Sequence, residues 1–464
     1  MSIQCHHLDK WEYMNLDMVE EALETHDHCS VLIGGATSSG KSYCAKKLKE
    51  MLEEYGHPAT IISTDSYNRG VTSIITNKVE KTAFGGNLPF KATLLKIALP
   101  IVRDTPFEAK FGPECCEKIQ KAAMDIVPSN VLSTYLAACQ EEIKKLNFDE
   151  PDVYDLATVA DDLKKLFKGE TIDKRKYSKV ISESVKSDQK IDGKKFQVFI
   201  VEGLYVLSPH LIKPLNRAMV VTDFIEGSPK SLFLRRIIRD AKSTSSPTYF
   251  TIQMYFSNII KSYNETILPS SKNADIIFKN DMTFTELREG NLYRTKEKIK
   301  VINPTFIAEL MNRGTVESIS LQRDTYLRGK NEPSDFNNLL RMREVSTDEG
   351  QTFVPTSLVH KGAPKTRRDG KEIRPINILL KEGEFTKAFA SSKDFMKKVT
   401  EAGFTIDRVV TKVKRKILLN GYHLTLSSFE KEGIWLEFSD PDIPKRVVDD
   451  TRKRASILPR AEKA

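Results

Sequence analysis

A phosphate-binding loop near the start of the chain constrains its fold more than any other feature. Residues 35–42 read Gly-Ala-Thr-Ser-Ser-Gly-Lys-Ser and fit the pattern G-x-x-x-x-G-K-[ST] at every position. Two glycines let the backbone turn so that its N–H groups point at phosphate oxygens, and a following helix adds its positive dipole end. The residues expected to hold the phosphates of ATP are Gly35, Ala36, Thr37, Ser38, Ser39, Gly40, Lys41, Ser42 and Tyr43.

The segments around this loop predict a parallel sheet. Residues 29–34 form a short apolar run, residues 42–55 have helical spacing, and residues 59–63 form a second apolar run. A strand, a helix and a second strand in that order favour a doubly wound α/β fold, in which Lys41 reaches the β- and γ-phosphates and Ser42 ligates Mg²⁺. The alternative, a chance glycine-rich turn, would not explain the flanking strand and helix. Further buried strands are predicted at 197–201, 218–222 and 274–278.

Two carboxylates follow predicted strands. Asp65 comes just after the strand at 59–63, and Glu202 comes just after the strand at 197–201. Carboxylates at the carboxyl ends of parallel strands point into the ligand crevice, where they can bind Mg²⁺ or accept a proton from an attacking hydroxyl. A turn-capping aspartate and a solvated strand end are the structural alternatives for these two residues.

A basic helix is predicted around residues 232–240. Arg235 and Arg239 are four residues apart and therefore share a helix face. Arginines on such a helix beside a phosphate loop can stabilise charge on a transferring phosphoryl group. The structural alternative is a basic face that is simply solvated.

Together these segments resemble the uridine kinase/phosphoribulokinase family of P-loop kinases. The matching stretches are the phosphate loop, STDSY (63–67), NFDEPDVYDL (147–156), KYS (176–178), VEGLYVL (201–207), LRRIIRD (234–240) and NADIIF (273–278).

The resemblance implies a phosphotransferase with roles for particular residues. Asp65 would be the base that acts on the substrate hydroxyl, Ser42 and Glu202 would complete the metal shell, and Arg235 and Arg239 would belong to a lid over the ATP phosphates. The substrate side would consist of Asp65, Tyr67 and Tyr177. The chain departs from the family in a helical insertion over residues 70–146 and in lacking a histidine shortly after Tyr177.

The second half of the chain is basic and follows a different pattern. The whole chain has a formal net charge of +9, and residues 301–464 hold 30 Lys and Arg against 23 Asp and Glu. Its apolar residues alternate with polar ones, which favours an antiparallel sheet or barrel. Basic residues share faces of predicted strands or lie on neighbouring ones, where they would bind a polyanion if they pointed inward rather than into solvent: Arg341, Arg343, Lys361, Arg374, Lys412 and Lys414.

This half resembles the CYTH domain, the fold of class IV adenylyl cyclases and thiamine triphosphatases. The resembling stretches are QRDTYL (322–327), LLRMREVS (339–346), EIRPI (372–376) and KVKRKILLNGYHLTL (412–426). The resemblance implies an α+β antiparallel barrel that binds triphosphate or polyphosphate. The E-x-E-x-K metal motif of that family is not found, and Glu437 stands alone where an acidic pair is common.

The predicted organisation is therefore two folded domains. The divisions are 1–28 as an extension, 29–281 as the P-loop kinase domain with its insertion at 70–146, 282–315 as a linker, 316–455 as the CYTH-like domain and 456–464 as a tail. The six cysteines are scattered without a C-x-x-C pair, which favours reduced thiols and a cytoplasmic protein. No long apolar run predicts a membrane span, and no RNA-binding motif is present.

Three functional hypotheses follow from these observations. The first is an ATP-dependent kinase that phosphorylates a nucleoside or another small alcohol and carries a phosphate-binding barrel. The second places triphosphate or pyrophosphate hydrolysis in the CYTH-like domain and makes the P-loop domain regulatory. The third is a non-catalytic binding protein switched by nucleotide.

Overall fold

The structure is a computed structural model that divides into two compact units. The first unit comprises residues 1–227 and 258–281, and the second comprises residues 228–257 and 282–464. The structure describes residues 2–106, 109–178, 182–185, 187–243, 247–281, 298–330, 332, 339–346, 350–362, 365–366, 372–373, 376–381, 383–438 and 445–456.

The helices and strands are numbered in chain order over these residues. The helices are α1 (Leu8–Leu23), α2 (Lys41–Glu54), α3 (Val71–Ala83), α4 (Lys91–Arg103), α5 (Pro113–Ala123), α6 (Ser129–Lys144), α7 (Leu156–Phe167), α8 (Pro209–Ile212), α9 (Pro229–Ser243), α10 (Thr248–Met254), α11 (Ile260–Ser262), α12 (Pro304–Arg313), α13 (Phe385–Ala388), α14 (Ser392–Glu401) and α15 (Lys445–Ser456). The strands are β1 (Ile3–Cys5), β2 (Cys29–Gly35), β3 (Ala59–Ser63), β4 (Thr171–Asp173), β5 (Lys176–Ser178), β6 (Glu183–Val185), β7 (Lys190–Asp192), β8 (Val198–Glu202), β9 (Val220–Glu226), β10 (Ile276–Lys279), β11 (Lys298–Val301), β12 (Thr315–Gly329), β13 (Leu339–Ser346), β14 (Val354–Lys361), β15 (Lys365–Thr366), β16 (Glu372–Ile373), β17 (Ile376–Leu380), β18 (Phe404–Leu419), β19 (Tyr422–Phe429) and β20 (Gly433–Phe438).

The first unit is built on a six-stranded parallel sheet in the order β1-β10-β9-β2-β8-β3. Every residue of β2 and β8 is buried, as expected for central strands covered on both faces. Because β2 lies between β8 and β9, the order of the strands reverses there, and such a switch point opens a ligand crevice at the carboxyl ends. The prediction of a parallel α/β sheet is confirmed.

The first 28 residues belong to this unit, whereas the sequence division set them apart as an extension. Strand β1 pairs in parallel with β10 at the edge of the sheet, and α1 packs on the same sheet. The Trp11 side chain is fully buried and stacks on Phe278, with 5.7 Å between ring centroids. Burial of so large a ring explains why this segment folds with the sheet rather than apart from it.

The insertion over 70–146 contains four helices, α3 to α6. Their buried side chains form the apolar faces that the helical spacing requires, including Val79 on α3, Val102 on α4, Ile119 on α5 and Tyr135 on α6. The paired cysteines, Cys115 and Cys116, are both buried on α5, as part of this packing. All six cysteines of the chain are buried free thiols.

The second unit is built on an eight-stranded antiparallel sheet in the order β11-β20-β19-β18-β12-β13-β14-β17. Helices α12 and α15 cover part of one face with an apolar core. Both β11 and α12 fall in the segment that the sequence division treated as a linker over 282–315. Leu310 of α12 and Ile299 of β11 are buried in that core, so this part of the segment is structured.

The sequence division placed residues 228–257 in the P-loop domain, whereas in the structure they belong to the second unit. An aromatic cluster explains this difference. Phe256 lies 5.0 Å from Phe233 and 5.8 Å from Phe389, measured between ring centroids. Contacts of this kind join α9 and the segment after α10 to the region of α13, α14 and β18. The members of the cluster are Phe233, Tyr255, Phe256, Phe385, Phe389, Phe395 and Phe404.

Candidate active site

The phosphate loop has the backbone geometry that the motif predicts. Gly35 has φ +142° and Gly40 has φ +100°, both in the region that favours glycine. A Cβ on Gly35 would lie 2.4 Å from the Ile225 carbonyl oxygen, and a Cβ on Gly40 would lie 2.4 Å from Nδ2 of Asn280. Glycine is therefore required at position 35 for space as well as for conformation, and at position 40 for its conformation.

Lys41 and Asn280 hold the loop closed. The Lys41 Nζ donates to the Ala36 carbonyl oxygen at 2.7 Å, and Lys41 is buried. Asn280 Nδ2, which follows β10, donates to the Ser39 carbonyl oxygen at 2.8 Å. Of the remaining predicted phosphate ligands, Ala36, Thr37 and Ser39 are buried, Ser38 is partly buried at φ 60°, and Ser42 and Tyr43 are exposed at the start of α2.

The two predicted carboxylates meet at the same edge of the sheet as the loop. Glu202 is the last residue of β8 and pairs in register with Ile33 of β2 and with Ser63 of β3. Asp65 is exposed in a short 3₁₀ turn, Thr64–Tyr67, directly after β3. Both residues thus stand at the carboxyl ends of neighbouring parallel strands, where the motif places the terminal phosphates.

Gly203 fixes the turn that carries Asp65. A Cβ at position 203 would lie only 1.7 Å from the Thr64 hydroxyl oxygen. The Gly203 N–H also donates to the Ile33 carbonyl oxygen at 3.1 Å. The segment after β8 therefore packs directly against the turn after β3.

Oxygen donors at this edge suit Mg²⁺. This ion prefers oxygen ligands and is commonly bound by one or two carboxylates together with substrate phosphates. Ser42 supplies a hydroxyl, and Asp65 and Glu202 supply carboxylates, so the donor set fits the ion. Among the described residues, no group of three or more His, Cys, Asp or Glu forms an all-protein metal site.

The two predicted substrate tyrosines differ in environment. The Tyr67 hydroxyl donates to Asp162 at 3.0 Å and the ring lies under the Arg175 guanidinium at 5.1 Å, so this hydroxyl points into the packing of α7 rather than toward the loop. Tyr177 is partly buried on β5. Burial raises its pKa, a hydrogen bond with Ser182 partly opposes this, and the carboxylates of Glu183 and Asp65 raise it further.

No role was predicted for Tyr154 or Asp149, although Tyr154 forms an antiparallel bridge with Asn68, directly after the Asp65 turn. Tyr154 is buried, and its pKa is raised well above the ordinary value by burial and then by the carboxylates of Asp65 and Asp149. Asn147 shapes the segment, because its Oδ1 accepts from the Asp149 N–H at 3.0 Å. The signal was the conspicuous NFDEPDVYD stretch, 147–155, from which individual roles could not be read.

The insertion contacts the same region through Glu183. This buried carboxylate accepts from the Thr72 N–H at 2.9 Å and from the Thr72 hydroxyl at 2.7 Å, at the start of α3. It occupies the stretch after Tyr177 in which no histidine was found. A cavity of about 830 Å³ opens beside the Asp65 turn and is lined in part by Ser66, Asn68, Arg69 and Arg175.

The predicted lid arginines lie on α9, in the second unit. Arg239 Nη2 is 2.9 Å from an Asp240 carboxylate oxygen, and Arg236 Nε is 2.6 Å from the other oxygen of the same carboxylate. Arg235 is partly buried on the same helix. Their predicted role at the ATP phosphates stays a prediction.

Three of the predicted phosphate-binding residues of the second unit converge on one carboxylate. Asp324 on β12 is fully buried and accepts from Arg343 Nε and Nη2 at 2.7 and 2.8 Å and from Lys412 Nζ at 2.7 Å. Arg341 Nη1 lies 3.6 Å away. Lys361 Nζ donates to the Tyr326 hydroxyl at 2.7 Å, and Lys414 lies on β18 two residues after Lys412. Arg374 lies outside the described residues.

Sequence comparison finds a family match for part of the chain. Residues 107–284 match the sequence model of the Phosphoribulokinase / Uridine kinase family. A uridine kinase from Macrococcus caseolyticus is 30% identical over 137 residues, which cover 30% of this chain and 64% of the relative. A uridine kinase from Lactobacillus johnsonii is 26% identical over 134 residues, which cover 29% of this chain and 61% of the relative.

These relatives are kinases, and the similarity extends over part of their length. The chain matches less than two thirds of the length of these relatives. After the function proposed for it below, the first unit is called the kinase unit from here on. A solved structure described as a possible uridine kinase from Bacillus stearothermophilus is 12% identical, with a TM-score of 0.28 over 57% of this chain and 99% of that one, and no conclusion is drawn from it. Within the described residues, no helix is both long enough and apolar enough to cross a membrane.

Proposed function

We propose that the kinase unit transfers the γ-phosphate of ATP, with Mg²⁺, to a hydroxyl of a small acceptor, and that the acceptor is a nucleoside. One observation carries the proposal: Glu202 pairs in register with both Ile33 and Ser63, at the edge of the sheet shared by the phosphate loop and Asp65. The nucleoside is taken from the names of the uridine kinase relatives.

Each residue at that edge would have a separate task. The loop N–H groups and Lys41 would bind the terminal phosphates, while Ser42, Glu202 and Asp65 offer oxygen ligands for Mg²⁺. Asp65, exposed beside the cavity, would also accept the proton of the attacking hydroxyl. Tyr177 and Tyr154 would form the wall against which the acceptor is held. Phosphoryl transfer depends mainly on such positioning and on neutralising charge.

The test is ATP turnover by the purified chain with a panel of nucleosides, sugars and phosphosugars. Asp65→Asn should lower turnover by about 10²–10⁴-fold while ATP still binds, because a general base contributes about that much. Lys41→Ala should abolish turnover. Lys47→Ala is the matched control, since Lys47 lies on the same helix but pairs with Glu50 at the surface. Turnover that survives both Asp65→Asn and Lys41→Ala would exclude this function.

For the second unit we propose a binding site for linked phosphates of the kind that the CYTH resemblance implies. Its support is the set of basic side chains around Asp324, which exceeds the charge of that one carboxylate. The competing hypothesis is hydrolysis of triphosphate or pyrophosphate in this unit. If it is right, hydrolysis will survive Lys41→Ala and disappear in the double variant Arg341→Ala, Arg343→Ala.

A further inference from the structure

One face of the antiparallel sheet carries a group of basic side chains on neighbouring strands, and we call it the basic face. Strand register places its residues: Asp324 pairs with Arg343, Tyr326 with Arg341, and Gln322 with Lys412. The same alternation continues along β14, β18 and β20. The charged residues of this face on β12, β13, β14, β18 and β20 are Arg341, Arg343, Lys361, Arg408, Lys412, Lys414 and Lys416, with Asp324 and Glu437.

The centre of the basic face is covered. Asp324 is fully buried, and Arg341 and Lys412 are each 8% exposed. Glu437 stands on β20, and three strands separate β20 from β13 in the sheet order. The burial of these charged side chains shows that the centre of the face does not lie flat against solvent.

The centre of this face has fewer anionic groups than its cations require. Asp324 is shared by Arg343, Lys412 and Arg341, so one buried carboxylate serves three cations. Arg341 is 8% exposed, and its Nε has no hydrogen-bond partner among the described residues. Buried cations are normally paired, and an unpaired buried guanidinium N–H is costly. An anion that enters from outside would supply such a partner.

The cations are spread over a length that one phosphate group does not fill. Lys412, Lys414 and Lys416 alternate along β18 and span about 13 Å at the usual strand rise. Arg341 and Arg343 lie on β13, beyond β12 from β18. With seven basic side chains and two carboxylates, the face suits a ligand with several linked negative groups.

Among the described residues, the carboxylates that could hold a metal ion on this face are Asp324 and Glu437. A divalent cation that bridges phosphates to protein needs free carboxylate oxygens. Both oxygens of Asp324 already accept hydrogen bonds from Arg343 and Lys412. No cluster of three metal-binding side chains occurs anywhere in the described part of the chain. Phosphate charge would therefore have to be neutralised by the arginines and lysines themselves.

We infer that the basic face binds a chain of three or more linked phosphates directly through Arg and Lys side chains, without a divalent metal ion and without cleaving it. The inference rests on the phosphate-binding role proposed above for the second unit. It assigns that site to binding rather than to hydrolysis. The linked phosphates could come from inorganic polyphosphate or from a nucleoside triphosphate, and the experiment below separates these sources.

The test uses the full chain with Lys41→Ala, to silence the kinase unit, and Trp11→Phe. Trp435 is then the only tryptophan, and it lies on the basic face because it pairs with Ser427. Tripolyphosphate, ATP and orthophosphate are titrated separately against Trp435 fluorescence, in EDTA and in Mg²⁺. We expect tripolyphosphate to bind in EDTA at least as tightly as in Mg²⁺, orthophosphate to bind far more weakly, and no phosphate to be released. ATP that binds as tightly as tripolyphosphate identifies the nucleotide as a source, and weaker ATP binding identifies inorganic polyphosphate.

A matched pair of variants locates the site. Lys414→Ala should weaken tripolyphosphate binding by about tenfold, the effect of one charge-assisted hydrogen bond. The control is Arg415→Ala, which removes the same charge from the next residue along β18. Successive side chains of a strand point to opposite faces, and Arg415 pairs with Ile319 on the face opposite to the basic face. This variant should change the affinity less than about twofold. Equal effects of the two variants would overturn the assignment to this face.

Two further outcomes are distinguishable. Binding that requires Mg²⁺, or release of phosphate from tripolyphosphate, would refute the metal-free binding site but leave a phosphate site in the second unit. No binding of tripolyphosphate or ATP in either buffer would refute the phosphate-binding role itself. A steep fall of affinity with salt should accompany the expected result, because the contacts are ionic.

Discussion

Replacing Asp324 by asparagine should strongly destabilise the second unit. The side chain is fully buried and receives three hydrogen bonds from Arg343 and Lys412, with Arg341 close by. Burial would raise the pKa of this carboxyl, but the three cations outweigh burial and hold the pKa well below its usual range. Asparagine has nearly the same shape and no charge, so the change tests the charge alone.

The magnitude follows from the burial of the partners. Removing one member of a buried ion pair costs about 3–5 kcal/mol, because the remaining charge stays buried without a counter-charge. Here three cations lose the same partner, although Lys412 can relieve part of the cost by releasing its proton. We therefore expect the free energy of unfolding of the second unit to fall by about 3–5 kcal/mol at pH 7.

Urea denaturation followed by Trp435 fluorescence, in a Trp11→Phe background, measures this loss. The control is Asp450→Asn on α15, whose carboxylate is 61% exposed and lies 4.0 Å from Arg446, and which should change stability by less than about 0.5 kcal/mol. Tripolyphosphate at 100 times its dissociation constant should return about 2.7 kcal/mol to the Asp324→Asn variant. A loss below about 1 kcal/mol in that variant would show that the carboxylate does not hold the cations together.

Three other changes test particular contacts. Gly203→Ala should destabilise the kinase unit by about 1–3 kcal/mol in thermal unfolding, because the new Cβ would lie 1.7 Å from the Thr64 hydroxyl oxygen. The loss of stability should be smaller in a Thr64→Ala background. Tyr67→Phe should lower the free energy of unfolding by about 1–2 kcal/mol, because the hydrogen bond to Asp162 is lost. The same change should alter kcat/KM less than about twofold. A larger kinetic effect would mean that the Tyr67 hydroxyl contacts substrate. Burial and the positive charge of the neighbouring guanidiniums lower the pKa of Lys412 to about 7. Above pH 7 the folded protein therefore binds fewer protons than the unfolded chain. The unfolding free energy of the second unit should therefore rise from pH 7 toward pH 10, and Lys412→Met should remove that rise.

The parts of the fold that local patterns determine were predictable from sequence. Short apolar runs gave β2, β3 and β8 within one or two residues, because buried central strands are apolar on both faces. The phosphate loop was equally clear, since its glycines and Lys41 stand at fixed spacing. Asp65 and Glu202 could be assigned to one edge because parallel strands bring their carboxyl ends together.

The contacts that join distant parts of the chain could not be predicted. Strand β1 has only three residues and forms by pairing with β10, some 270 positions later, so no local pattern marks it. The aromatic cluster that includes Phe256 and Phe389 has no sequence period either. Asn280 closes the phosphate loop from the far end of the unit, and no motif around it indicated that role.

The basic face could be predicted from the sequence only in part. Alternation on β13 and β18 predicted that Arg341, Arg343 and Lys412 share faces of their strands. Whether those faces pointed inward or into solvent was open, because a period of two does not say which face is enclosed. The buried Asp324 decides the matter, since its carboxylate draws the three cations to the inner side.

The path of the chain through the two units has a consequence for synthesis. Strand β10 inserts between β1 and β9, so the parallel sheet is incomplete until residues near 279 leave the ribosome. By then Phe233, Tyr255 and Phe256 have been made, whereas their aromatic partners from Phe385 to Phe404 have not. The nascent protein therefore exposes these aromatic side chains while the next hundred or so residues are translated. Exposed apolar segments of this kind bind chaperones or lead to aggregation.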